Sequence, residues 1–341
     1  MYKNTTSIVG AAVTLTLLCS PALGSVSPEG TSGPQASSDQ SQAAPLGKAT
    51  HTVFAEYGTA TWCGYCKYAH GALKEIWAEG LYDFFYVSLV DDKDLWAKNR
   101  VRNDYNIYGF PTVFFDGGYD VRVGAGSVPT AKAAYEAAIN NCGARDVPDI
   151  EAQLSVVWLG NATMDIQLSI VNNEAYDYEG YLRVYVTENE STLGWYDTWG
   201  YPYTFPLLDY AFNEDLTIPA GGTWEGAVIW NGNDYDNGYG VNFGGITMDN
   251  TTVIAAVFND EWHQGYAYPP YNNPFDAYYV DETTGKMPSI PGDANQDGVV
   301  DIDDIFAILF AWGECDGCPE DVDGSGVVDI DDVFFVLDNW S

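Results

Sequence analysis

The sequence predicts a multidomain chain: an α/β domain, an all-β sandwich, and a small helical unit built on two oxygen-rich loops. Three observations predict it. Strand-like and helix-like hydrophobic periods alternate over residues 50–147, the period becomes two from 148 onward, and the last fifty residues repeat at a spacing of 28. At 341 residues and 46% hydrophobic, the chain has material for several cores. Its charge is unusual, with 13 basic against 49 acidic residues and a net charge of −36. Such a polyanion repels phosphate backbones and anionic lipid, so neither a nucleic-acid partner nor membrane-surface binding is expected.

Residues 1–24 have a single Lys3, an apolar run from Ile8 to Leu18, and the small-residue stretch Ala22-Leu23-Gly24. They read as a secretory signal peptide cut after Gly24, which removes Cys19. The run is short for a bilayer and nothing later reaches that length, so no membrane span is expected. Residues 25–49, rich in Ser, Pro, Gly, Gln and Ala with no aromatic residue, read as a disordered linker. The expected location is outside the cytosol, whether extracellular, on the cell surface or in the periplasm. Disulfides persist there, so Cys63, Cys66, Cys142, Cys315 and Cys318 are read first as bridges or redox groups. Five is odd, and Cys142 is the candidate for the thiol left over.

From residue 50 the elements follow in order. "HTVFAEY" reads as a strand; after Cys66 a helix places Ala69, Leu73, Ile76 and Trp77 on one face. "FFYVSLV" reads as a buried strand and 94–106 as helical. "PTVFFDGGYDVRV" reads as two short strands around an Asp-Gly-Gly turn, and "TAKAAYEAAINNC" as a closing helix. Residues 148–288 then alternate. Ile150, Ala152, Leu154, Val156 and Trp158 mark one strand, Met164, Ile166, Leu168 and Ile170 a second, and Leu182, Val184 and Val186 a third. Strands joined by Gly- and Asn-rich loops with no helical stretch imply a β-sandwich. Its many Trp and Tyr residues serve as core, or as stacking faces for sugar rings.

The first C-x-x-C, Cys63-Gly64-Tyr65-Cys66, carries the sharpest chemistry. Cys63 follows a strand and Cys66 lies in the first turn of a helix, where unpaired N–H groups and the helix dipole favour a thiolate. Two intervening residues let the second sulfur attack a mixed disulfide formed by the first, and Lys67 adds positive charge. A structural bridge and a zinc site are the competing readings, the latter with His70 as the only nearby extra ligand. His70 itself reads as a solvated helix residue.

Trp62-Cys63-Gly64-Tyr65-Cys66 opening a helix, with Phe110-Pro111-Thr112 entering a hairpin about 45 residues later, resembles the thioredoxin superfamily. The resemblance implies that Cys63 attacks, that Cys66 resolves, and that a cis Pro111 with Phe110 forms the substrate rest. Glu56 resembles the family's buried acid behind the second cysteine, one residue upstream of the usual spacing. Gly-Tyr replaces the usual Gly-Pro between the cysteines, and Gly71 stands where the family often has a kinking proline. With "YLRVYVTENESTLGW", "LDY" and "IPAGGTW" downstream, the order of domains is similar to a bacterial outer-membrane lipoprotein family.

In residues 291–341, Asp293, Asn295, Asp297, the Val299 carbonyl and Asp304 occupy the ligand positions of a calcium loop around Gly298. Asp321, Asp323, Ser325, the Val327 carbonyl and Asp332 do the same around Gly326. Two structural calcium ions are expected, the second held more weakly because Ser325 is neutral. Ile305, Ile308, Leu309 and Trp312 are expected to pair with Val333, Val336, Leu337 and Trp340 in a small core. The segment has 14 acidic residues and no basic one, so without calcium self-repulsion should unfold it. It resembles the type I dockerin module, which implies a cohesin-like docking partner met through Ile302-Asp303 and Ile330-Asp331. Cys315–Cys318 has no strand before it and acids around it, and reads as a structural bridge.

The functional expectation is a secreted thiol–disulfide oxidoreductase acting on protein disulfides or dithiols and tethered through the C-terminal unit. Two other classes stay open: a binding protein with an inert thioredoxin-like shell, and a dockerin-bearing polysaccharide-degrading subunit.

Overall fold

The structure, a computed structural model, describes residues 49–315 and 318–340. The signal peptide, Cys19 and all but the last residue of the linker lie outside the described residues. Among the described residues no helix is long and apolar enough to cross a membrane.

The first part runs β1 (Val53–Thr59), α1 (Cys66–Glu79), β2 (Phe84–Val90), α2 (Leu95–Asn99), β3 (Thr112–Phe115), β4 (Asp120–Val123) and α3 (Val128–Cys142). The sheet order is β2-β1-β3-β4, with β1 parallel to β2 and antiparallel to β3. This is the α/β arrangement that the alternating strand and helix periods predicted. The residues read as one helix over 94–106 form α2 followed by a single π-helical segment, Arg100–Asp104. β1 obeys strict two-residue parity. Val53, Ala55 and Tyr57 face α1 and α3, whereas Phe54 faces the opposite side.

The second part contributes β5 (Ile150–Gly160), β6 (Thr163–Asn172), β7 (Tyr178–Glu188), β8 (Leu207–Ile218), β9 (Thr223–Asn231), β10 (Thr251–Asn259), β11 (His263–Tyr268), β12 (Asn272–Ala277) and β13 (Val280–Lys286). A three-stranded sheet, β5-β6-β9, faces a four-stranded sheet, β13-β10-β7-β8. Met164, Ile166, Leu168 and Ile170 pack between them with Val184, Val186 and Val253, as the alternation foretold. One short 3-10 turn, Met248–Asn250, is the helical content of this part among the described residues.

Period two fails at β10, where eight successive residues from Thr251 to Phe258 are buried. The reason is a second cover. Tyr185 and Ile254 on the far face of the four-stranded sheet pack against Phe54, Val87 and Leu89 of the first part. A strand covered on both faces loses its polar side.

Glu282 on β13 gives a pH-dependent consequence. Burial pushes its carboxyl up from 4.5 to about 7. A carboxyl raised in the folded chain stabilises it when protonated. That contribution is whole below about pH 4.5 and is lost as the pH rises through 7. Glu282→Gln is therefore expected to melt above the parent at pH 8, with the gap closing by pH 4. Thermal melts at both pH values check this, and the opposite order would contradict the sign.

The last part contains α4 (Ile302–Ala311), β14 (Gly313–Glu314), β15 (Val327–Val328) and α5 (Ile330–Asp338). Its core is Ala294, Val300, Ile308, Val328 and Val336. Leu309, Trp312, Leu337 and Trp340 were expected inside and are instead 44–52% exposed. Each helix buries one apolar residue fully, Ile308 in α4 and Val336 in α5, and both tryptophans lie beyond the helix ends. A second correction concerns Cys315. A two-residue strand, β14, does precede it and pairs with β15, because the repeat brings the two loops side by side.

Candidate active site

Cys63 and Cys66 form a disulfide with Cα atoms 5.4 Å apart. Thr59 ends β1, Cys63 N–H is tied to the Ala60 carbonyl, and α1 begins at Cys66. The Cys66 N–H donates to Cys63 Sγ at 3.2 Å, so the first free donor of the helix addresses the first sulfur. Cys63 is 5% exposed and Cys66 fully buried, while Trp62 and Tyr65 stand 65% and 66% exposed around them. The two sulfurs are thus unequal in access. The Phe110–Pro111 peptide is cis, Pro111 is buried, and the Phe110 ring meets Trp62 edge-on at 5.9 Å. This edge-on ring contact links the proline segment to the cysteine segment.

Glu56 does not lie behind Cys66. Strand parity turns it to the other face of the sheet, where it is fully buried. There it accepts Arg100 Nε at 2.9 Å and Nη2 at 2.7 Å, Tyr185 Oη at 3.0 Å, and Tyr105 Oη. Burial pushes its carboxyl up, but the Arg100 guanidinium outweighs that and holds it below the usual range. The residue beneath the cysteines is Tyr57, whose hydroxyl donates to the Cys66 carbonyl at 2.8 Å and accepts Thr59 Oγ1 at 2.9 Å. Burial pushes the Tyr57 phenol well up, so it is no proton acceptor at neutral pH.

His70 is not solvated. It is 1% exposed, with Nδ1 2.8 Å from Asp197 Oδ2 and Nε2 accepting the Thr204 N–H at 3.3 Å. That pairing puts the ring proton on Nδ1. The cover comes from residues 195–205, more than a hundred positions away, and no local signal near His70 announces it.

Cys142 is a free, buried thiol. Burial and the neighbouring Asp116 and Asp120 push it well up, so it is a packing residue and not a nucleophile. A cleft of about 1010 Å³ opens beside Arg183, Tyr181, Asp215 and Pro274, and its lining includes neither cysteine nor Pro111.

The two C-terminal loops are built alike. In the first, Asp293 accepts the N–H groups of Asp297 and Gly298, and Asp304 those of Asn295 and Asp301. In the second, Asp321 accepts those of Ser325 and Gly326, and Asp332 those of Asp323 and Asp329. Gly298 and Gly326 adopt φ of 87° and 85°, where a side chain would be strained. Carboxylate oxygens of Asp321, Asp323 and Asp332 lie within 4.8 Å of one another, a set that suits a hard divalent cation. In the first loop, burial and then repulsion from Asp304 and Asp297 push the Asp293 carboxyl up, which a cation would relieve. Val299 and Val327 follow their glycines as the spacing required. Cys315 and Cys318 are joined, and the Cys318 N–H faces Cys315 Sγ at 3.1 Å.

No family model matches the chain, and no curated protein matches it. Solved structures similar to it include HBP35 of Porphyromonas gingivalis, at 16% identity over 71% of this chain and 76% of that one, with a TM-score of 0.48. A protein from Agrobacterium tumefaciens matches at 14% identity over 71% of this chain and 97% of that one, TM-score 0.38. A β-glucosidase from Streptomyces venezuelae, DesR, matches at 9% identity over 42% of this chain and 15% of that one, TM-score 0.23. These are remote likenesses, and the chemistry rests on the residues themselves.

Proposed function

We propose that the chain is a thiol–disulfide exchange protein working outside the cytosol, with Cys63–Cys66 as the exchanging pair. One observation carries the reading: a bridge at the first turn of α1 whose first cysteine keeps 5% exposure while the second keeps none. In the oxidised form a substrate thiolate attacks Cys63 Sγ. The Cys63–Cys66 bond breaks and its electron pair leaves on Cys66. A second substrate thiolate then displaces Cys63, so the substrate gains a disulfide and the pair is reduced by two electrons. Run in reverse, the Cys63 thiolate attacks a substrate disulfide and Cys66 resolves the adduct. Cis Pro111 and Phe110, in the position of the thioredoxin-like substrate rest, offer backbone for an extended chain. The test is insulin reduction by the wild type against a Cys63→Ser/Cys66→Ser double variant; equal rates would refute the exchange reading.

A second reading, an inert shell, is favoured by the low exposure of Cys63 and by Tyr57 in place of an acid behind Cys66. In it the chain is a binding protein, and its reduced Cys63 alkylates with the pH dependence of an ordinary thiol near 8.5, not of an activated one.

We further propose that the C-terminal unit folds on two calcium ions and docks a cohesin-like partner. Asp293, Asn295, Asp297, the Val299 carbonyl and Asp304 would hold one ion. Asp321, Asp323, Ser325, the Val327 carbonyl and Asp332 would hold the other. The ions would neutralise the loops and so fix α4 and α5 side by side. Ile302 and Ile330 are 49% and 50% exposed, and Phe310 is 90% exposed, which leaves apolar surface for a partner. Chelation is expected to remove the helical circular dichroism of α4 and α5 and the docking, while Cys63 reacts at its former rate. An unchanged spectrum in excess chelator would contradict the assignment.

A further inference from the structure

We propose that Trp199, delivered by a loop of the β-sandwich, fixes the ammonium of Lys67, the residue that follows Cys66 in α1, and through it sets the reactivity of Cys63; this deepens the exchange reading and rests on it. Lys67 follows Cys66 in the first turn of α1. A lysine free in solvent there would spread its charge through water, which screens it. Instead Nζ lies 5.1 Å from the Trp199 ring centroid and 5.2 Å from that of Tyr68. The two rings meet edge-to-face at 5.2 Å. Both distances are within cation–π range. Among the described residues no carboxylate stands within ion-pair distance of Lys67, so the rings decide where its charge sits.

The place of Trp199 is set by α1 itself. His70, one turn beyond Cys66, donates from Nδ1 to Asp197 Oδ2 at 2.8 Å. Asp197 Oδ1 accepts the N–H groups of Trp199 at 2.8 Å and Tyr201 at 3.2 Å. The Asp197 N–H donates to the Tyr201 carbonyl and the Gly200 N–H to the Asp197 carbonyl, closing a tight turn. Burial pushes the Asp197 carboxyl up, but the His70 and backbone donors outweigh it and hold the group ionised, below the usual range. A methyl placed at Gly71 would come 3.8 Å from the Trp199 ring, so the indole lies along the helix flank. The helix holds the loop through His70, and the loop returns to the helix at Lys67. Trp199 is a positioning residue, acting through Lys67 on a sulfur it does not touch.

The experiment is a double-mutant cycle on the reduced full chain, read as the iodoacetamide alkylation rate of Cys63 across pH. Trp199→Leu and Lys67→Met are each expected to slow alkylation at pH 7 about two- to fivefold, the scale of one cation–π contact. Combining them should add nothing further, and Trp199→Phe should restore most of the rate. Additive effects, or a Trp199→Leu rate equal to wild type, would overturn the proposal. The Phe variant keeps the ring, so it guards against loss of folding. A wild type inert toward insulin with a non-additive cycle removes the exchange reading alone. An active wild type with an additive cycle removes this inference alone.

Discussion

A Cys66→Ser chain is expected to accumulate mixed disulfides with protein substrates through Cys63, whereas Cys63→Ser is expected to accumulate none and to reduce insulin at the rate of buffer. The asymmetry follows from access. Cys63 keeps 5% exposure, and Cys66 is fully buried with its carbonyl tied to Tyr57. On the exchange reading a substrate sulfur meets the first and not the second, so removing the first would stop the reaction before it starts. Removing the second leaves an adduct with no intramolecular thiol to release it. Non-reducing electrophoresis after acid quenching reads both results. Equal trapping by the two variants would mean that the bridge opens from either side, and the assignment of roles would fail.

The largest stability effect is expected at Arg100. Glu56 is fully buried, and Arg100, 9% exposed at its side chain, meets it through two parallel hydrogen bonds while lying 4.2 Å from the Tyr105 ring centroid. Arg100→Met keeps the bulk and removes the cation. Glu56 is then a buried carboxylate hydrogen-bonded by the Tyr105 and Tyr185 hydroxyls alone, with Arg183 the remaining cation that acts on it. Breaking such a pair from one side costs about 3–5 kcal/mol, well beyond the loss of a neutral hydrogen bond. Arg100→Met/Glu56→Gln is expected to recover most of it, because no charge is left stranded. Urea melts of the three proteins check both statements. A single variant as stable as its parent would show that the pair is dispensable.

The cysteine spacing, the proline segment, the period-two strands and the repeat at 28 were legible because each is a local pattern of short range. Strand parity was legible too, and would have turned Glu56 away from Cys66. The family spacing pointed to the wrong side of the sheet, and the Arg100 contact that explains Glu56 lies 44 positions downstream. His70 read as solvated because only the 195–205 loop buries it, and nothing in α1 names that loop. Leu309 and Leu337 read as core because helical periodicity says which residues share a face and not how wide a face the partner covers. Val300, in the first loop, and Val328, in the two-residue β15, do fill that core, and neither belongs to a helix whose periodicity would mark it.

The doubly covered middle sheet bears on any attempt to transplant the proposed exchange activity. A fragment cut after residue 147 would carry Phe54, Val87 and Leu89 without the Tyr185 and Ile254 that shield them. It would also leave Glu56 short of one donor and Lys67 short of its indole. The smallest portable unit runs from about residue 50 to 288, and a graft shorter than that takes a raw, sticky face into its new host.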